Sequence, residues 1–194
     1  MSEFELTIYK LILKEIEQGE FERWVYSEKK LGELLASDEY SELISLNYKT
    51  PSSLYEAGKI LRNYINLGKC YEWYLKGILQ KIVDHPCDAH TYIEQLYDLY
   101  CDGYYFLDNL GLGYGLAITV PHHKYKVERW CELNSQQQSA LIDEFYPAVA
   151  DEARKVIFWL ESGKITFTGH SGEYQGIKYE DHRTAQDKEP TTYK

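Results

Sequence analysis

The sequence predicts a mainly α, single-domain, helical bundle-like fold with a small C-terminal β hairpin. Three observations predict it. Apolar residues recur every three or four positions over most of the chain, residues that favour helix ends separate these runs, and an alternating β-prone segment follows Gly163. We expect one helical domain with its β element over residues 1–182 and a flexible polar tail over residues 183–194.

The first fifty residues predict short helices in close succession. An amphipathic helix follows the apolar positions of residues 4–16, and Gly19 is its expected stop. Two short helical segments come next, at residues 21–25 and 31–35. Ser37 is the expected N-cap of the helix after them.

Two longer helices are predicted in the middle of the chain. Thr50 before Pro51 is typical of an N-cap followed by proline at the first helical position, so a helix is expected to open there and run to about residue 65. The next helix is expected over about residues 70–83. Asp88 is then expected to cap a tyrosine-rich helix that ends at Gly103.

The remaining elements follow from local patterns. Residues 116–120 are β-prone and stop at a proline, which favours an edge strand or extended segment. Ser135 with Gln138 predicts a capping box, and Pro147 predicts the start of one more helix, which Gly163 closes. The expected hairpin strands are residues 164–168 and 174–179.

Charge is the most informative feature of the chain for function. The formal net charge is −10, and between Lys81 and Lys124 there is no lysine or arginine. This acidic window, residues 82–123, contains six carboxylates: Asp84, Asp88, Glu94, Asp98, Asp102 and Asp108. Such a surface favours a basic protein partner and argues against direct binding to nucleic acid or to an anionic membrane.

Three of these carboxylates are spaced by four residues. Glu94, Asp98 and Asp102 would therefore lie on one face of a helix, and we call them the acidic ridge. Like charges at this spacing repel, so local stability is lost there, which is most common at functional surfaces. A solvated face on a tyrosine-rich core helix explains the same pattern, and both readings remain open.

The sequence contains no equally clear catalytic or cofactor motif. Among His85, Cys87 and His90 the spacing matches no common closed zinc site, and a helix-to-helix connection explains them. The glycines at 111, 113 and 115 follow helix-like sequence, whereas a phosphate-binding loop follows a strand, so flexible turns are the simpler reading. We expect no cofactor, no bound metal and no enzymatic activity.

The cellular compartment is predicted from the N-terminal sequence, the lengths of the apolar stretches and the cysteine spacing. The first thirty residues lack the apolar core and cleavage site of a signal peptide, and no stretch approaches the ~20 apolar residues that span a bilayer. The four cysteines include no Cys-x-x-Cys pair and read as reduced thiols. We therefore expect a cytoplasmic protein.

Residues 21–49 carry a family resemblance. The run Phe21-Glu22-Arg23-Trp24-Val25-Tyr26, the leucines at 31, 34 and 35, and the run from Tyr40 to Lys49 resemble the opening of small uncharacterised bacterial proteins. Many of those are similar to immunity proteins of polymorphic or contact-dependent toxin systems. The resemblance implies a cytoplasmic protein that binds and neutralises a cognate toxin domain, often a nuclease with a basic groove, and it transfers no functional residue.

Together these observations predict a non-catalytic immunity protein that binds its toxin through an acidic, tyrosine-rich surface. The expected contact residues are the acidic ridge with Tyr97, Tyr104, Tyr105 and Asp108, although Tyr97 is also a candidate for the core. The alternatives are a helical adaptor for another basic host protein and, with less support, a metal-dependent enzyme that uses the segment from His85 to His90. The sequence does not indicate an oligomeric state.

Overall fold

A computed structural model describes residues 1–171 and 176–189 of the chain. These residues form eleven α-helices, one π-helix, four short 3-10 helices and a two-stranded antiparallel sheet near the C-terminus. The mainly α fold class with a C-terminal hairpin is confirmed. Among the described residues, no helix is long and apolar enough to cross a membrane.

The chain divides into two compact units, Met1–Cys70 and Tyr71–Lys194. The single-domain organisation of residues 1–182 stays a prediction. The helices of the N-terminal unit are α1 (Glu3–Leu13), α2 (Gln18–Ser27), α3 (Lys29–Leu34), α4 (Ser37–Ser45) and α5 (Ser53–Leu61), and α6 (Leu67–Asp84) contains the boundary between the units.

The N-terminal unit has its own apolar core. Side chains from all five of its complete helices contribute, and several are fully buried: Ile8, Phe21, Leu31, Leu43, Ala57 and Leu61. Tyr48 is 4% exposed, its ring lies 6.0 Å from that of Phe21, and its hydroxyl donates to the Leu43 carbonyl oxygen. Burial raises the pKa of Tyr48. Aromatic residues of the segment that carries the family resemblance, residues 21–49, therefore pack in this core.

Three expected helix ends in this unit were misplaced. α1 ends at Leu13 and is capped by Lys14, which has a left-handed backbone and whose N–H bonds to the carbonyls of Lys10 and Leu11. Gly19 lies inside α2. Ser37 is the first residue of α4 rather than its cap, because the Glu39 carboxylate already accepts from the backbone N–H of Ala36. Pro51 lies in the turn before α5.

The C-terminal unit follows α6. Its helices are α7 (Ala89–Cys101), a 3-10 helix (Tyr105–Leu107), the π-helix (Asn109–Gly115), α8 (Leu116–Thr119), α9 (His122–Tyr125), a 3-10 helix (Trp130–Glu132), α10 (Ser135–Phe145), α11 (Ala148–Glu161) and a 3-10 helix (Gln186–Lys188). The strands are β1 (Ile165–Ser171) and β2 (Ile177–Asp181), in a register that pairs Ile165 with Asp181. The capping box of α10 lies one residue earlier than expected, between Asn134 and Gln137.

The expected strand at residues 116–120 is wrong, because this segment continues the preceding helix. Leu116–Thr119 is α8, the Val120 N–H bonds to the Leu116 carbonyl, and the Thr119 hydroxyl donates to the Gly115 carbonyl. Ile118 is fully buried. β-propensity is a weak preference that packing overrides, and here packing favours the helix.

The π-helix lies against α7 because two of its glycines allow a very close approach. A Cβ atom on Gly111 would lie 2.7 Å from the Cβ of Tyr100, and one on Gly115 would lie 2.8 Å from the Cβ of Tyr97. Gly113 has no atom within 4 Å of that position. Gly111 and Gly115 therefore serve helix packing, and all three glycines lie in the π-helix rather than in the flexible turns we expected.

We predict that Gly111→Ala and Gly115→Ala each lower the free energy of unfolding by about 1–3 kcal/mol, since an added methyl group would overlap α7. Gly113→Ala is the matched control and should change it by less than about 1 kcal/mol, in the stabilising direction. Urea unfolding monitored by circular dichroism measures all three. Equal effects at the three positions would contradict this account of the packing.

The hairpin is fastened to the rest of the unit by an aromatic cluster. Phe167 of β1 and Tyr179 of β2 contact Tyr104 and Phe106, with ring centroids 4.9–6.4 Å apart. The Tyr104 hydroxyl also accepts the N–H of Ile177 at 2.7 Å.

Residues 183–189 are the described part of the expected flexible tail. They make hydrogen bonds and ion pairs that the sequence does not predict. Arg183 forms a bidentate pair with Asp181 and donates to the Phe106 carbonyl, and Lys164 pairs with Asp187. These cations hold the pKa of both carboxyls down at about 2, chiefly through hydrogen bonds from Arg183 and Lys164 respectively. Residues 190–194 lie outside the described part of the chain.

Because both folded-state pKa values lie below the ordinary aspartate value of about 4, the two ionised carboxylates stabilise the fold above about pH 4. That contribution is lost as the pH falls from about 4 to about 2. We predict that the Asp181→Asn, Asp187→Asn double variant is less stable than the parent at pH 7 and that the difference shrinks across this range. Thermal unfolding at stepped pH measures it, with Asp143→Asn, an exposed aspartate outside the ion pairs, as control. A difference that does not change with pH would contradict the assignment.

Candidate functional site

The acidic ridge lies along α7 and its C-terminal end. Glu94 and Asp98 are one turn apart on the helix, and Asp102 is its C-cap, so the three carboxylates follow one side at intervals of about 6 Å along the axis. Asp98 and Asp102 are exposed and Glu94 is half-buried. On the opposite face Ile93 and Leu96 are fully buried, so α7 presents its charge to solvent because its apolar face packs inward.

The carboxylates of the acidic window have no cationic partner. Among residues 1–171 and 176–189, no ion pair involves any of the six. Asp84 accepts a hydrogen bond from Gln80, and Asp108 accepts one from the backbone N–H of Asn109. All six are exposed except Glu94. Five carboxylates of the acidic window are therefore exposed, and none of the six has an ion-pair partner among the described residues.

The position of Asp102 adds a local electrostatic conflict. It caps the C-terminal end of α7, where the helix dipole places negative charge, and it stands one turn beyond Asp98. The helix dipole destabilises the Asp102 carboxylate by about 0.3–1 kcal/mol. Repulsion from Asp98 destabilises it by roughly a few tenths of a kcal/mol. A cation bound from outside would relieve both.

Tyr97 occupies the edge between this surface and the core. Its Cβ packs at Gly115, while its hydroxyl reaches Cys101 one turn later, and that hydrogen bond raises the pKa of Tyr97. The side chain is half-buried. Its stem is packed and its ring is partly accessible, and a contact role for Tyr97 stays a prediction.

Tyr104 is buried and is therefore not available to the predicted contact surface. It is 3% exposed, packs among the hairpin aromatics and accepts the Ile177 N–H, and burial raises its pKa. The neighbouring Tyr105 is 57% exposed, with its ring 5.6 Å from that of Tyr100. We therefore correct the predicted contact set by removing Tyr104 and retaining Tyr105. The sequence does not show which of the two tyrosines is buried, because the burial of Tyr104 depends on the position of the hairpin.

The exposed Leu112 is a surface residue that sequence reasoning missed. It lies in the π-helix between Gly111 and Gly113 and is 44% exposed. Asp108, which we predicted as a contact residue, directly precedes this helix and is exposed. Alternating glycines around one leucine are the available signal, but in the sequence they favour a flexible turn.

The histidines of the alternative metal reading stack on aromatic rings. The His85 ring lies 3.6 Å from that of Tyr146, and the His90 ring lies 4.8 Å from that of Trp130. Tyr146 in turn donates to the Ile82 carbonyl at the end of α6, and burial raises its pKa to about 12. Within the described ranges, no three histidine, cysteine, aspartate or glutamate side chains are grouped so that they could hold a metal ion.

We predict effects of very different size for the two adjacent tyrosines. Tyr104→Ala should lower the free energy of unfolding by about 3–5 kcal/mol, since it empties a packed site and leaves the Ile177 N–H without its acceptor. Tyr105→Ala should lower it by less than about 1 kcal/mol. Denaturant unfolding of both variants measures this. A larger loss for Tyr105→Ala would reverse their assignment to core and surface.

Comparisons with protein-family models, with curated proteins and with solved structures find no match to this chain.

Proposed function

We propose that this protein is a non-catalytic immunity protein that binds a cognate basic toxin domain and neutralises it. The observation that carries the proposal is the acidic window, in which six carboxylates have no cationic partner among the described residues and five are exposed. We infer that the partner is a toxin from the resemblance of residues 21–49 to the opening of immunity-like proteins.

The charge arrangement suits fast association with a basic surface. A localised negative potential steers a positively charged partner and raises the association rate by about ten- to a thousandfold at low salt. The exposed Tyr105 and the partly accessible Tyr97 add contact area with few rotatable bonds, which slows dissociation. Charge would govern encounter, and the aromatic rings would govern the lifetime of the complex.

The decisive variant reverses the acidic ridge: Glu94→Lys, Asp98→Lys and Asp102→Lys together. Tagged parent and variant are used to recover partners at low salt from bacterial cells that encode the protein, and bound proteins are identified by mass spectrometry. We expect one basic toxin domain with the parent and none with the variant. The association rate of the purified pair should fall at least about tenfold in the variant and lose most of its salt dependence.

The matched control separates the ridge from net charge. Glu15→Lys, Glu33→Lys and Glu42→Lys together change the net charge equally, at exposed carboxylates of the N-terminal unit. This control should bind as the parent does. It should also protect a bacterial host from the expressed toxin domain, whereas the ridge variant should not.

Unchanged binding and salt dependence in the folded ridge variant would refute the proposed surface. A housekeeping protein recovered in place of a toxin would refute immunity and favour the adaptor function.

A further inference from the structure

Residues 183–189 follow the hairpin, and we call them the strap because they lie against α11 and against Lys164, which precedes β1. Arg183 and Asp187 are half-buried, and the other five residues of the strap are exposed. The one apolar residue among the seven is Ala185, which is exposed. The strap therefore gains little free energy by burying its own apolar side chains, and its position depends on polar and charged contacts.

The strap begins at a cation–π contact. The guanidinium carbon of Arg183 lies 4.5 Å from the centre of the Trp159 ring, and Asp181 pairs with the same guanidinium at 3.0 Å from Nη2. Arg183 also donates to the Phe106 carbonyl oxygen at 3.4 Å, and Lys188 pairs with Asp181 at 3.2 Å. Trp159 is 3% exposed, and Arg183 covers part of its ring.

The middle and the end of the strap are joined to two lysines. Asp187 pairs with Lys164, and it accepts both the N–H and the hydroxyl of Thr184, at 2.9 and 2.8 Å. Lys155 of α11 donates to the Glu189 carbonyl oxygen at 3.1 Å. Each of these contacts includes a charged side chain, so salt and the removal of charge weaken them.

α11 is held in place by apolar packing instead. It runs for 14 residues and buries one face, on which Ala153 is 0%, Val156 2% and Leu160 4% exposed. Segments with few buried apolar contacts open locally at a lower free energy than packed helices do. The strap can therefore detach while α11 stays folded.

We propose that the strap is a charge-controlled cover of Trp159, which opens when its ionic contacts are screened or removed and leaves α11 and the hairpin folded. Opening uncovers the Trp159 ring and releases Lys155 and Lys164 from the strap. A face with one aromatic ring and two cations then becomes accessible to solvent. The inference is independent of the proposed function, because it requires neither a toxin nor a carboxylate of the acidic window.

Amide hydrogen exchange of the full chain, followed residue by residue by NMR, tests the opening. The reporters are the N–H of Thr184, which bonds to the Asp187 carboxylate, and the N–H of Asp187, which bonds to the Thr184 carbonyl. The N–H of Val156 in α11 is the internal reference. Raising the salt from about 0.1 M to about 1 M shortens the Debye length from about 10 Å to about 3 Å. Exchange at the two reporters should become about three- to tenfold faster relative to Val156.

Asp187→Asn removes the charge that pairs with Lys164, so it should speed exchange at the N–H of Thr184 by about five- to twentyfold. Asp151→Asn is the matched control, because it removes an ion pair with Arg154 on the same helix that involves no residue of the strap. The control should leave exchange in the strap unchanged. Circular dichroism should show the same helix content in the parent and in both variants.

Access to the Trp159 ring is measured separately, with a soluble paramagnetic agent that broadens the NMR signals of exposed groups. The indole N–H signal of Trp159, assigned from Trp159→Phe, should broaden more in Asp187→Asn than in the parent. The signal of Trp24 in the N-terminal unit is the internal control and should broaden equally in both.

Three results would overturn the inference. The first is exchange in the strap that is as slow as at Val156, which would mean that the strap opens only on global unfolding. The second is exchange in the strap that neither salt nor Asp187→Asn changes. The third is faster exchange without added broadening of the Trp159 signal, which would mean that the strap does not cover the ring.

Discussion

The close packing of the π-helix on α7 is the constraint on which the candidate surface depends. Gly111 and Gly115 bring the two helices so near that no Cβ atom fits between them and the side chains of Tyr100 and Tyr97. This contact fixes which side of α7 faces inward. The carboxylates of the acidic ridge face outward as a consequence, and Asp108 and Tyr105 are placed at the turn that joins the two helices.

The acidic window is negatively charged because lysine and arginine side chains lie elsewhere in the described structure. Elsewhere in the described structure five lysine and arginine side chains contact both a ring and a carboxylate, as Arg183 does with Trp159 and Asp181. The acidic window contains no cation of its own, and none from the rest of the described chain pairs with its carboxylates. Under the proposed function, a basic partner would supply the positive charge that compensates this repulsion.

Tyr104 and Tyr105 show how far residue type alone can locate a binding site. The two are adjacent and identical, yet one is 3% exposed and the other 57%. The difference arises because the distant hairpin packs on Tyr104, whose hydroxyl receives the Ile177 N–H. No local pattern contains that contact, which joins residues more than seventy positions apart.

The sequence by itself determined the helical class, the C-terminal hairpin and the acidic ridge, since apolar periodicity and a spacing of four residues act within one or two turns of chain. Only the tertiary structure decided that residues 116–119 continue a helix, that Gly111 and Gly115 are packing contacts, and that Tyr104 is core. Each of these depends on a surface supplied by a remote segment. Local preferences of about 1 kcal/mol per residue are too small to oppose the burial of side chains such as Ile118 and Tyr104 against such surfaces.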